Sequence, residues 1–154
     1  MRARSMNLPR MIGFPLLPNE RDGIEAALTR AGLPVDDLDK PGRLFWRFST
    51  PDELPVGFGG LEVHGREALM RSIVTLPPVR RRGFGRAIVA ALETEAKIAG
   101  SRNVWLLTDR ETEFFARAGY SPCDRHTVPE AIRSSEHFAS LDTENAIAML
   151  KHLA

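Results

Sequence analysis

A chain of 154 residues with 43% hydrophobic and 27% charged side chains has the size and composition of one soluble globular domain. Its net charge of +1 gives no ground for a nucleic-acid or membrane partner, and no apolar run approaches the ~18 residues that span a bilayer. One cysteine, Cys123, excludes an internal disulfide and a cysteine metal cluster and suits a reducing, cytoplasmic setting.

Residues 1–10 read as a frayed basic arm and residues 11–154 as one domain. Met11 to Phe14 is a candidate first strand. Pro18-Asn19 opens a helix with Asn19 as N-cap and Ile24, Ala27, Leu28 and Ala31 as its apolar stripe; Gly32 ends it. Asp36, Asp37, Asp39 and Lys40 mark Pro34 to Gly42 as an exposed loop.

Three strands follow, Leu44 to Phe48, Val56 to Val63 and Ala68 to Leu76, joined by turns at Thr50 to Pro55 and at His64-Gly65-Arg66. They read as an antiparallel meander that Pro77-Pro78 stops, because proline has no N–H to give the ladder. From Gly85 to Ala99 the period becomes helical, with Ile88, Val89, Leu92, Ala96 and Ala99 on one side and Glu93, Glu95 and Lys97 on the other. Val104 to Leu107 is a buried strand, and Thr112 to Ala118 a short helix ending at Gly119. A tail helix starts at Pro129, and Asn145 to Leu153 closes the chain, preferably as a strand. Strands and helices in this order predict an α/β (α+β) fold, a mixed sheet with helices on its faces.

The most informative stretch runs from Ser72 to Arg86, where a strand passes through Arg80-Arg81-Arg82-Gly83-Phe84-Gly85 into a helix. A helix start leaves four backbone N–H groups without partners, and with the dipole these favour phosphate. Gly83 and Gly85 let a ligand approach the backbone, while Arg80, Arg81, Arg82 and Arg86 surround it with charge. The physical reading is a diphosphate cradle; a tight loop with solvated arginines is the alternative. A dinucleotide fingerprint needs a third glycine and an earlier strand, and the nucleotide-hydrolase loop needs Gly-Lys-Ser/Thr. Nucleic-acid binding through the three arginines is disfavoured by the near-neutral charge.

Arg80-x-x-Gly83-x-Gly85 after an apolar strand resembles the acyl-CoA signature of the GNAT superfamily. Phe114-Phe115-Ala116-Arg117-Ala118-Gly119-Tyr120 resembles that superfamily's later Phe-Tyr-x-x-x-Gly-Phe segment. The resemblance implies a mostly antiparallel mixed sheet whose fourth and fifth strands, Ala68 to Leu76 and Val104 to Thr108, splay apart around the pantetheine arm of acetyl-CoA. It implies that Val74 and Thr75 pair with the pantetheine amides and that the amides of Arg81 through Arg86, Phe84 among them, hold the diphosphate. Thr108 falls where many relatives carry asparagine, and Phe115 falls where many carry a tyrosine that protonates the departing thiolate. A narrower likeness, strongest from Leu69 to Leu141, is to the arsenic-resistance N-acetyltransferase-like group. Two expected cysteines are Asp142 and Ala148 here, which sets thiol-based arsenic handling aside.

The implied activity is acetyl transfer from acetyl-CoA to the amine of a small molecule, amino-acid-like or xenobiotic. The alternative is a fold that binds acyl-CoA without catalysis, which Phe115 favours because a phenyl ring has no proton to give. General-base candidates are Glu67 and Glu62 first, from strand positions facing the gap, then Asp109, Glu111 and Glu113, with His64 weaker. Tyr120 reads as a core residue. His126 and His137 are not at metal-ligand spacing with any cysteine or acid, so no metal is expected. The expected partners are acetyl-CoA and an amine, without nucleic acid or membrane, a homodimer being left open.

Overall fold

The computed structural model describes residues 7–141 and 144–154. In chain order the elements are β1 (Ile12–Pro15), α1 (Asp22–Ala31), β2 (Arg43–Ser49), β3 (Pro55–His64), β4 (Glu67–Thr75), α2 (Phe84–Ile98), β5 (Asn103–Thr108), α3 (Thr112–Arg117), β6 (Ser121–Cys123), α4 (Glu130–Arg133), α5 (Glu136–Leu141) and β7 (Ile147–His152). The strands form one sheet in the order β1-β2-β3-β4-β5-β7-β6. Among the described residues only β4 and β5 are parallel; the other neighbours are antiparallel.

Alternation along the strands supplies two buried faces. Ala68 and Met70 of β4 and Val104 and Leu106 of β5 pack beneath Ile88, Leu92 and Ala96 of α2. Their neighbours Leu69, Trp105 and Leu107 point the other way, against Ile132 of α4 and Phe138 of α5. On that same side α1 buries Ile24 and Leu28 against Phe45 and Val74. Helices therefore cover both faces of the mixed sheet, as expected from the element order.

Several local expectations are corrected. Asn19 does not cap α1. Pro18–Glu20 form a separate 3-10 turn, in which the Leu17 N–H donates to the Glu20 carboxylate at 2.9 Å, and α1 begins only at Asp22. Gly32 does terminate α1, at φ 73°. The loop after it is not uniformly exposed, because Asp37 and Leu38 are buried. Ala99 lies in solvent at the end of α2, whereas Glu93 is half-buried: the Tyr120 hydroxyl donates to it at 2.8 Å and Lys151 pairs with it at 3.0 Å. Burial and the Glu93 charge push the Tyr120 hydroxyl far above its ordinary pKa, which makes it a core group rather than an acid. The tail forms two short helices, α4 and α5, with Pro129 just before the first.

Candidate active site

β4 and β5 start side by side and then separate. They pair at Glu67–Asn103, Ala68–Val104 and Leu69–Trp105, and no pair follows although β4 runs on to Thr75 and β5 to Thr108. The cause lies on the other side of β4. The β3–β4 register passes from Gly60–Arg71 to Phe58–Val74, so Ser72 and Ile73 together oppose Gly59. Ser72 takes φ 60°, a left-handed conformation seldom adopted by a residue with a side chain. Such a bulge bends its strand and sharpens the local twist, which carries β4 away from β5. The result is a wedge with its vertex at Leu69–Trp105 and backbone edges on both sides. Backbone amides need partners, and an extended ligand with amides of its own can enter such an opening as an added strand.

The open end of the wedge leads to the arginine-glycine loop. After Thr75, Pro77–Val79 make a 3-10 turn; Arg81 then adopts φ 67° and Gly83 φ 84°. Left-handed residues alternating with ordinary ones are the backbone pattern of anion-binding nests. Among the described residues none of the Arg81, Arg82 and Gly83 amides donates to a backbone carbonyl. α2 begins at Phe84, whose ring is buried in the core, so only its backbone is available to the loop. Gly85 is a close approach: a Cβ there would sit 3.2 Å from the Phe114 ring and 3.9 Å from Thr75 Oγ1. The side chain of Arg80 folds back and donates from Nε to the Thr75 carbonyl at 3.2 Å, bracing the loop on β4. Arg81 and Arg82 are exposed, and Arg86 is half-buried on the first turn of α2. Pro9 lies against Gly83, so the described part of the N-terminal arm runs beside the cradle.

The remaining sequence candidates divide. Val74 is buried at the end of β4, with Thr75 half-buried beside it. Thr108 closes the turn after β5 by accepting the Glu111 N–H at 3.1 Å. Phe115 is buried in the core beneath α2, edge-on to Phe114 at 5.0 Å and to Tyr120 at 5.9 Å; Phe114 is the ring that reaches the Thr75–Gly85 junction. Glu67 does not face the gap. It sits at the paired end of the wedge, where its carboxylate accepts Trp105 Nε1 at 2.7 Å and Asn103 Nδ2 at 3.0 Å and so fastens β4 to β5. Glu62 is buried on β3, on the α1 and α5 side of the sheet, with Oε2 accepting Arg71 Nη1 at 3.0 Å.

A cluster missed in the sequence surrounds Glu62. Arg71 of β4 donates to both oxygens of Asp37, at 2.5 Å and 2.7 Å, as well as to Glu62. Arg43 Nε reaches Asp37 at 3.1 Å. Burial works to raise the Asp37 pKa but is outweighed by the hydrogen bonds and charges of Arg71 and Arg43, which hold it at about 2. His137 of α5 is 4% exposed, and its Nδ1 has no hydrogen-bond partner. Burial first, then the Arg71 charge, lower its pKa to about 3, so the ring is neutral. Lys40 pairs with Glu136, tying the loop that carries Asp37 to α5. Residues 37, 62, 71 and 137 come from four separate elements, and no local spacing announces them.

Residues 42–122, more than half of the chain, match the Acetyltransferase (GNAT) domain family. The chain belongs to the GNAT acetyltransferase family. The matched span holds the meander, the cradle, the wedge and Phe115. Mouse N-alpha-acetyltransferase 80 is 33% identical over 76 residues, which are 46% of this chain and 24% of that protein. The chain thus spans about a quarter of that relative's length. Among solved structures, Rv2747 from Mycobacterium tuberculosis in complex with CoA is 23% identical, with 93% of this chain and 99% of that one covered at a TM-score of 0.76. N-acetylglutamate synthase from Neisseria gonorrhoeae, complexed with coenzyme A and L-arginine, is 16% identical, with 94% of this chain and 34% of that one covered, also at 0.76. These two likenesses bear on the GNAT fold, including the sheet with its single parallel pair.

Proposed function

We propose that this GNAT chain is an N-acetyltransferase that moves an acetyl group from acetyl-CoA to the amine of a small molecule. The observation that carries the reading is the end of β4–β5 pairing at Leu69–Trp105, which opens a strand-sized gap leading straight to the cradle at Arg80 to Arg86. Acetyl-CoA fits that pair of features: a diphosphate for converging amides, and an amide-bearing arm for two unpaired strand edges. Val74, Thr75 and Gly85 lie where the two features meet, and Thr108 closes the β5 side.

Acetyl-CoA supplies the thioester. Arg71, Asp37 and the wedge vertex order the acceptor side, and Glu62 is the carboxylate placed to take a proton from the amine. One of its oxygens is fixed by Arg71 while, among the described residues, Oε1 makes no hydrogen bond and lies 3.8 Å from His64 Nε2. In the balanced reaction a C–N bond forms, the C–S bond breaks, and an ammonium substrate loses two protons, one recovered by the leaving thiolate. Phe115 has no proton to give, so that proton comes through water. Glu67 is assigned to strand pairing rather than to chemistry.

Phe115 also favours a second reading, a GNAT fold that binds acyl-CoA without turnover. Calorimetry with acetyl-CoA, followed by thiol release across an amine panel, separates the two. Binding with turnover supports the enzyme, binding alone supports the ligand module, and no heat at millimolar acetyl-CoA removes both. For the arsenic-related likeness, Asp142 lies outside the described residues and Ala148 is buried on β7. With neither position a cysteine, the proposal contains no thiol chemistry.

A further inference from the structure

Arg71 stands two residues beyond the last β4–β5 pair and one before the left-handed Ser72, so it occupies the vertex of the wedge on the side covered by α1 and α5. A guanidinium carries five N–H donors. Its Nε donates to Ser72 Oγ at 3.0 Å, Nη1 to Asp37 Oδ2 at 2.5 Å and to Glu62 Oε2 at 3.0 Å, and Nη2 to Asp37 Oδ1 at 2.7 Å. Asp37 therefore fills the planar fork that would otherwise grip a carboxylate through two parallel bonds. The capacity left at the vertex lies chiefly on Glu62 and His137. Among the described residues Glu62 Oε1 has no hydrogen bond, its His64 Nε2 neighbour being 3.8 Å away, and the buried His137 ring, within electrostatic reach of Arg71 and Asp37, leaves Nδ1 unpartnered. A neutral imidazole offers one nitrogen as an acceptor and the other as a donor, and buried nitrogens of this kind ordinarily have a partner.

We infer that the acceptor is a cationic amine with no carboxylate on the carbon that bears the nitrogen, and that Asp37 sets this preference by occupying the face of Arg71 that an amino acid's carboxylate would need. The inference rests on the acetyltransferase reading above. An ammonium brings a positive charge and donors to Glu62 and His137. An α-carboxylate brings a further negative charge beside Asp37 and Glu62 and finds one spare N–H on Arg71. Specificity here comes from an unpaired like charge in the wrong ligand rather than from an added contact in the right one.

Paired acceptors test it, with acetyl-CoA and thiol release as the readout: phenethylamine against phenylalanine, agmatine against arginine, and phenylalaninamide against phenylalanine. The member without the carboxylate should have a kcat/KM higher by about 10²-fold, the scale of a like-charge penalty. Equal or better turnover of the free amino acids overturns the inference. In Asp37→Ser the fork of Arg71 is released, and the ratio within each pair should narrow by about tenfold; an unchanged ratio in the folded variant removes Asp37 from the explanation. If that variant does not fold, Asp37→Asn, which keeps one oxygen on Arg71, should narrow the ratio less but in the same direction. No turnover of any acceptor, with acetyl-CoA still binding, overturns the transferase reading itself. Turnover without the expected ranking overturns this inference alone.

Discussion

At Asp37 and His137 the two buried groups make acid the destabilising direction. The unfolded chain takes up a proton on His137 below its ordinary pKa of 6.5, while the folded chain refuses one until about pH 3. Stability from this residue is therefore complete above 6.5 and falls as the pH drops through that window. Asp37 acts lower: its contribution is present above 3.8 and is lost as the pH falls through about 2. Urea midpoints should decline from pH 6.5 downward, and His137→Phe should flatten the curve between pH 6 and 4, a range in roughly the middle of that window. A midpoint independent of pH there would mean that the ring is not buried neutral. Removing Asp37 at neutral pH leaves Arg71 buried and underpaired, so Asp37→Ala should cost about 3–5 kcal/mol in chemical denaturation. At Phe115 the ring is enclosed by Phe114, Tyr120 and the underside of α2. Phe115→Tyr should lower stability by about 1–3 kcal/mol, because the new hydroxyl lacks a partner, with acetyl-CoA affinity unchanged. A gain in turnover without loss of melting temperature would instead put this side chain against the thioester.

For α2 the element that matters is its first turn. Gly83 sits at φ 84°, so any side chain there is strained before a ligand is considered. Gly83→Glu adds a negative charge where the proposed diphosphate would lie. It should abolish acetyl-CoA binding in calorimetry while leaving a cooperative, somewhat lowered melting transition; wild-type affinity would show that the cradle lies elsewhere. This element was legible in the sequence because its chemistry is local: two glycines, four arginines and a change of period fall within a few residues. The three-strand meander and α2 were legible for the same reason, their apolar periods being long and regular. The polar cluster was not. Asp37 lies among other acidic residues that face solvent, and its partner Arg71 is 34 positions away across the fold. Glu67 misled because alternation gives the face of a strand residue but not which end of the strand remains paired. The separation of α4 from α5 was hidden by their length, each under two turns, too short to establish a period.

Across the whole molecule the wedge is a defect in an otherwise continuous sheet. All six strand junctions among the described residues are hydrogen-bonded, yet β4–β5 is closed only at Glu67 to Leu69. The sheet holds together there through Glu67 with Trp105 and Asn103, and through the helices packed on each face. A ligand that bridges the gap completes the sheet, so its binding energy should appear as folding stability. At a concentration of 100 times Kd, acetyl-CoA should add about 2.7 kcal/mol. The location of the effect is more telling than its size. Hydrogen exchange should slow at Val74 to Leu76 and at Leu106 to Thr108, the two open edges, and at Arg81 to Arg86. It should change little in β1, which lies at the far edge of the sheet. Slowing confined to Arg81 to Arg86 would mean that the diphosphate binds while the arm lies outside the wedge. Slowing at the strand edges in wild type that disappears in Gly83→Glu would show that the cradle supplies the anchor and the wedge the alignment. Those two parts would then act in series, the charged end fixing where the acyl end arrives beside Arg71 and Glu62.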